Sequence, residues 1–176
     1  MTLREKIFAG TASTAVLVGV MAIAAPRFFS GQPSLDELER TAINSSAPAQ
    51  RHAAAAKLSF QGRKAIPHLQ RVLAQSNDPE MNAVCIDSLG ELYDYTSMEK
   101  FLDFLEDPNP SVRNRAAAAV ARMTGLYTDF ESAEPEKRAK IIAIYRAQWN
   151  SLKDTKKLEE FKQHINANLN SIGAKP

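Results

Sequence analysis

The chain has a single cysteine in 176 residues, Cys85, which excludes an internal disulfide and any cysteine-built zinc cluster. Cys85 lies in an apolar helical run and reads as a small buried hydrophobe, the functional alternative being an intermolecular disulfide or a reactive thiol. Glycine is scarce, at seven residues, and few stretches alternate as strands do, so the composition favours helix. The net charge of +2 is too small for a global field that would draw nucleic acid, which is not expected as a partner. The three histidines, His52, His68 and His164, show no His-x-x-x-His or Glu-x-x-His spacing. His52 and His68 could face each other across one hairpin, but a metal would still want a third ligand, so no metal site is expected. There is no glycine-rich phosphate loop and no Gly-x-Ser-x-Gly elbow. Asp87, Ser88 and Glu91 share one helix with no base beside them, and Tyr145 and Trp149 carry the spacing of core residues. With no catalytic residues and no cofactor site in view, an enzyme is not expected.

What the chain does have is a period. Pro48, Pro79 and Pro110 stand 31 residues apart, and each opens a similar passage. In register with them, Ala54, Cys85 and Ala116 correspond, then Ala55, Ile86 and Ala117, then Leu58, Leu89 and Val120. These positions form one helical stripe by the i, i+3, i+4 rule. A period near 30 residues marks stacked helical hairpins, each unit burying its apolar face only against its neighbours. Asp, Asn or Ser before proline is a helix start, and Gly62 and Gly125 fall where first helices should end. Second helices follow, with stripes Ala65, Ile66, Leu69, Val72 and Leu73, and then Met98, Phe101, Leu102 and Leu105. The third copy is interrupted by residues 125–134 before Pro135 opens a helix with Ile141, Ile142, Tyr145, Trp149 and Leu152 inward. Residues 34–43 read as the lone second helix of a half-repeat, with Leu35 and Leu38 inward. A last amphipathic helix with Leu158, Phe161, Ile165 and Leu169 would cap the end of the stack.

The N-terminus is of another kind. Arg4 and Lys6 precede residues 7–25, which hold no charge, and Pro26, Arg27, Phe28 and Phe29 follow. One reading is an uncleaved anchor: such a stretch is about long enough, at ~1.5 Å per residue, to cross a hydrocarbon core of ~30 Å. The other is a signal peptide cut after Ala22-Ile23-Ala24, giving a secreted chain. In both, the basic start stays inside and the repeats are exported, to the periplasm in a bacterium. The expected organisation is residues 1–29 as anchor or signal, 30–33 as spacer, 34–152 as repeat domain and 153–176 as capping helix and tail.

The residues Pro110-Ser111-Val112-Arg113 with the alanines 116–119, Gly62-Arg63-Lys64-Ala65-Ile66-Pro67-His68-Leu69, and Ile86-Asp87-Ser88-Leu89-Gly90-Glu91-Leu92 resemble HEAT repeats. The likeness is to the short, alanine-rich bacterial kind also found in phycobilin lyases. It covers about residues 48–125, and departs from the pattern where Asn82 stands for the usual arginine and Cys85 for alanine. The resemblance implies an all-α fold, a short right-handed α-solenoid of antiparallel helix pairs, here preceded by an N-terminal hydrophobic helix. It implies a scaffold or adaptor that binds another protein; the alternative it leaves is a lyase or cofactor-handling enzyme of the phycobilin type.

Charge is banded along the repeats. Residues 40–71 hold six bases and no acid, residues 78–107 nine acids and one base, and residues 113–162 eleven bases against seven acids. Solvated faces explain such runs, and a protein-binding surface of mixed charge also would. In HEAT-like folds the second helices line the concave side. That places Lys64, His68, Arg71, Glu99, Lys100, Asp103 and Glu106 as the expected partner contacts.

Overall fold

The computed structural model describes residues 32–153 and 156–171, all of their regular structure helical. The chain divides into two units, Met1–Ser34 and Leu35–Pro176. Of the first only Gln32–Ser34 is described, without helix; the expected anchor or signal at 7–25 lies outside the described residues. No described helix is long and apolar enough to cross a membrane.

The second unit is a row of helix pairs. Its helices are α1 Leu35–Asn44, α2 Pro48–Ser59, α3 Ile66–Gln75, α4 Pro79–Glu91, α5 Met98–Phe104, α6 Pro110–Thr124, α7 Pro135–Leu152 and α8 Lys156–Ser171. First helices α2, α4 and α6 each open on proline in the first turn, where its missing N–H costs nothing. Asp78 and Asn109 cap two of them, each accepting from the backbone N–H groups two and three residues on. Ala47, at the same register position, offers no side-chain cap to α2. Single turns of 3-10 helix, Gly62–Ala65 and Tyr95–Ser97, lead into the second helices α3 and α5.

Between first and second helices the chain must reverse, and it does so through one left-handed residue in each copy: Gly62 at φ 66°, Tyr93 at φ 51° and Gly125 at φ 72°. Glycine takes that conformation freely, whereas Tyr93 takes it at a strain of about 1–3 kcal/mol. Beside it, buried Asp94 accepts from the Thr96 and Ser97 hydroxyls and from Gln70 of α3, tying one repeat to the next.

The stripes are the core. Ala54, Cys85 and Ala116, then Ala55, Ile86 and Ala117, then Leu58, Leu89 and Val120 are all buried. So are Ala65, Leu69, Val72 and Leu73, and Met98, Phe101, Leu102 and Leu105. Burying each large side chain is worth about 1.5–3 kcal/mol, and the unbroken row of them holds the pairs together. Leu38 is buried and Leu35 half-buried, as a half-repeat requires. In α7, Ile141, Ile142, Tyr145 and Trp149 face inward, and in α8 Leu158 does; the side chains of Phe161, Ile165 and Leu169 lie outside the described ones.

Asn82 explains the departure seen at its position. Arg51 and Arg113, one repeat before and after it, donate to carbonyls of the preceding loop: Arg51 to Ser45 at 3.0 Å, Arg113 to Asp107 at 2.7 Å and Pro108 at 2.8 Å. Asparagine is too short for that clamp, and its buried Oδ1 is without a hydrogen-bond partner.

Candidate partner-binding surface

Five of the seven expected contact residues, in two groups, close on a neighbouring helix, and Lys64 and Lys100 do not. His68 and Arg71 project from α3 onto Glu39 of α1. Arg71 grips that carboxylate with both arms, Nε to Oε1 at 2.7 Å and Nη2 to Oε2 at 2.6 Å, and His68 Nδ1 is 2.6 Å from Oε2. The Arg71 guanidinium, more than any other group, holds the Glu39 carboxyl below its ordinary value. Lys64 stands exposed in the turn before α3.

Glu99, Lys100, Asp103 and Glu106 lie on or just beyond α5, and three of them face α7. Glu99 accepts from Trp149 Nε1 at 2.8 Å and Lys153 Nζ at 3.1 Å, and the Trp149 bond is the main cause of its lowered pKa. Arg146 reaches Glu106 at 3.4 Å, Asp103 at 3.7 Å and the Leu102 carbonyl at 3.1 Å. Lys100 sits over the Phe104 ring, 5.1 Å from its centre.

Six of the nine acids of the band pair with basic side chains of other helices or their ends. Asp78 takes His52 at 2.8 Å and Arg51 at 3.7 Å, and the His52 hydrogen bond is the largest cause of its lowered pKa. Glu80 takes the other ring nitrogen of His52 at 3.3 Å, and Asp87 takes Arg115 at 3.1 Å. His52 and His68 therefore turn to different carboxylates, Asp78 and Glu80 for the one and Glu39 for the other.

Donor atoms of Asp36, Glu39 and His68 do lie within 4.8 Å of one another, a set a cation could use. Arg71 already brings a positive charge to that set, its Nη2 2.6 Å from Glu39 Oε2 and 3.1 Å from His68 Nδ1. Sequence reasoning missed this cluster, although Asp36 and His68, like Glu39 and Arg71, are 32 residues apart, one repeat on parallel helices.

Two concavities and two aromatics were also not anticipated. A cleft of about 340 Å³ lies among Ala42, Arg51, Val72, Gln75, Asp78 and Met81. A groove of about 270 Å³ runs along α6, floored by Ala117, Ala118 and Ala121 and walled by Tyr127, Phe130 and Tyr145. Phe60 is 86% exposed and Tyr127 75%.

Residues 66–147 match the family described as HEAT repeats. No curated protein and no solved structure matches the chain. The matched span runs from α3 into α7, and the 31-residue register carries the same pattern back through α2.

Proposed function

The chain is a HEAT-like repeat protein, and on that premise we propose that it is a membrane-tethered, extracytoplasmic scaffold that binds another protein and catalyses nothing. HEAT repeats generally mediate protein–protein interaction, and the repeat stack is the observation that carries this reading. Its helix pairs would form a right-handed solenoid behind an apolar N-terminal helix. The uncharged stretch at 7–25 behind Arg4 and Lys6 supports tethering with the repeats outside the cytoplasm.

Recognition would fall to side chains on the rigid second helices, with Lys64 and Lys100 the most available of the seven candidate contacts. His68, Arg71, Glu99, Asp103 and Glu106 are engaged within the fold, so a partner using them must exchange one ion pair for another. Such exchange favours specificity and association rate over raw affinity.

A reporter fused after Pro176 tests the topology: activity confined to the cytoplasm rejects export. The size of the mature chain separates an anchor from a cleaved signal. Affinity capture from solubilised membranes with the full chain tests the scaffold role, and failure to retain any polypeptide in a Lys64→Glu-sensitive manner rejects the chosen face.

A further inference from the structure

The repeat register shows which faces first helices use on each other. A Cβ on Gly90 of α4 would meet the Ala119 side chain of α6 at 2.7 Å, Arg122 Nη1 lies 3.3 Å from the same point, and Asp87 takes Arg115 at 3.1 Å. So α4 receives α6 on the face of Asp87 and Gly90. Thirty-one residues later the same positions are Ala118 and Ala121, and both line the open groove on α6.

At the other end of the row the partner face is also open among the described residues. Ala119 packs on the preceding first helix, Val112 lies two turns before it on the same face, and both are buried, as are their equivalents Ser88 and Met81 on α4. Their equivalents on α2, Gln50 and Lys57, are exposed, and so are Ala53 and Phe60 beside them. The row thus ends in two complementary halves of one junction. Each half carries an aromatic left in solvent, Phe60 on one and Tyr127 on the other. Charge matches at one point: α2 brings Lys57, and the groove wall carries Glu131, while the other charge lining the groove is Arg122 and the nearby Asp129 is already held by Lys137.

We propose that copies of this chain associate head to tail, the exposed face of α2 in one copy seating on the α6 groove of the next. Transferring the α4–α6 register fixes the contacts. Ala53 of one copy stands opposite Ala118 of the other, at the positions where Arg115 reaches Asp87 through its side chain. Lys57 lies over Ala121 beside Glu131, in the place of Ala119 over Gly90, with the two helices farther apart because Ala121 carries the methyl group that Gly90 lacks. Phe60, standing where Arg122 stands, enters the groove below Tyr127. The two surfaces differ, so the contact is heterologous and each added copy presents a fresh end.

The test is cross-linking of the full chain in mild detergent, carrying Ala53→Cys and Ala118→Cys together. Both positions are exposed, and α4 lies between them in one chain, so a short cross-link between them joins two copies. Cys85 is buried and stays out of the chemistry. A short bismaleimide, which spans the reach of an arginine–aspartate pair, should give a ladder of dimers and longer species on a denaturing gel. Lys57→Glu should abolish the ladder, and adding Glu131→Lys should restore it. The pair Ala53→Cys with exposed Ala139→Cys should give no ladder. A monomer throughout, or equal yield from the Ala139 pair, overturns the proposal and makes Gln50 and Lys57 a plain polar end to the stack. A ladder indifferent to both charge changes overturns the register. Circular dichroism of each variant confirms that it is folded when the gel is read.

Discussion

Gly90 and Ala119 touch where no larger pair could: a Cβ on Gly90 would stand 2.7 Å from that of Ala119, with the Ala119 Cα only 3.1 Å away. The α4–α6 junction is therefore set by the absence of one methyl group. Gly90→Ala gains helix propensity but must push the two axes apart, and the strain of overpacking outweighs it. We expect a loss of about 1–3 kcal/mol in urea denaturation. A gain in stability would mean that the helices separate at no cost and that the close approach is incidental.

Leu89→Ala addresses the stripe itself. Leu89 is fully buried between equivalents Leu58 and Val120 of the adjoining repeats. Removing its side chain should cost about 2–5 kcal/mol, the transfer term plus the cavity left behind. An unchanged urea midpoint would mean that the repeat stripe is not the core.

Acid should loosen the stack. Glu39, Asp78 and Glu99 all have folded-state pKa values below the ordinary 4.5, 3.8 and 4.5, for reasons led by Arg71, His52 and Trp149 respectively. A lowered folded pKa gives stability that is present above the ordinary value and lost as pH falls through the lowered one. The urea midpoint should therefore drop on acidification below about pH 4.5, and Glu39→Gln should shrink the drop. Exposure of Glu99 screens its share, so Glu39, held by Arg71 and His68, should account for more of the effect. A midpoint that does not fall on acidification contradicts these assignments.

Cys85 gives a probe of the interior. Burial pushes its thiol up to about 12, which leaves almost no thiolate near neutral pH. A thiol reagent should label it only once denaturant has opened the repeats. Rapid labelling of the native chain would show that α4 exchanges with solvent far more often than a packed first helix should.

The helices were legible because each boundary carries local chemistry. Proline in the first turn, Asp78 or Asn109 before it and Gly125 after it are signals contained within a few residues. Tyr93 hid the second turn, since a left-handed tyrosine leaves no mark in composition, and only its place 31 residues after Gly62 reveals it. The charged candidates were harder to judge. Their positions on second helices were readable, but Glu99 pairs with Trp149 fifty residues away and Asp103 with Arg146. Those pairings depend on how α7 crosses α5 after a long connection, which no period encodes. Reversing Glu99 and Asp103 to lysine would consequently disturb the α5–α7 contact as well as any partner, so Lys64 and Lys100 are the cleaner positions at which to probe binding.

The two seams between first helices are made of unlike materials. Along the first, Arg51 and His52 of α2 hold Asp78 and Glu80 at the start of α4 through partly hydrated ion pairs. Along the second, the Asp87–Arg115 pair is joined by close backbone and methyl contact at Gly90 and Ala119, which the first seam lacks at its ion pairs. A stack built this way does not flex as a uniform spring. Under load it yields at the α2–α4 seam first, and salt or acid, which weaken ion pairs and leave close packing untouched, set how readily that seam opens.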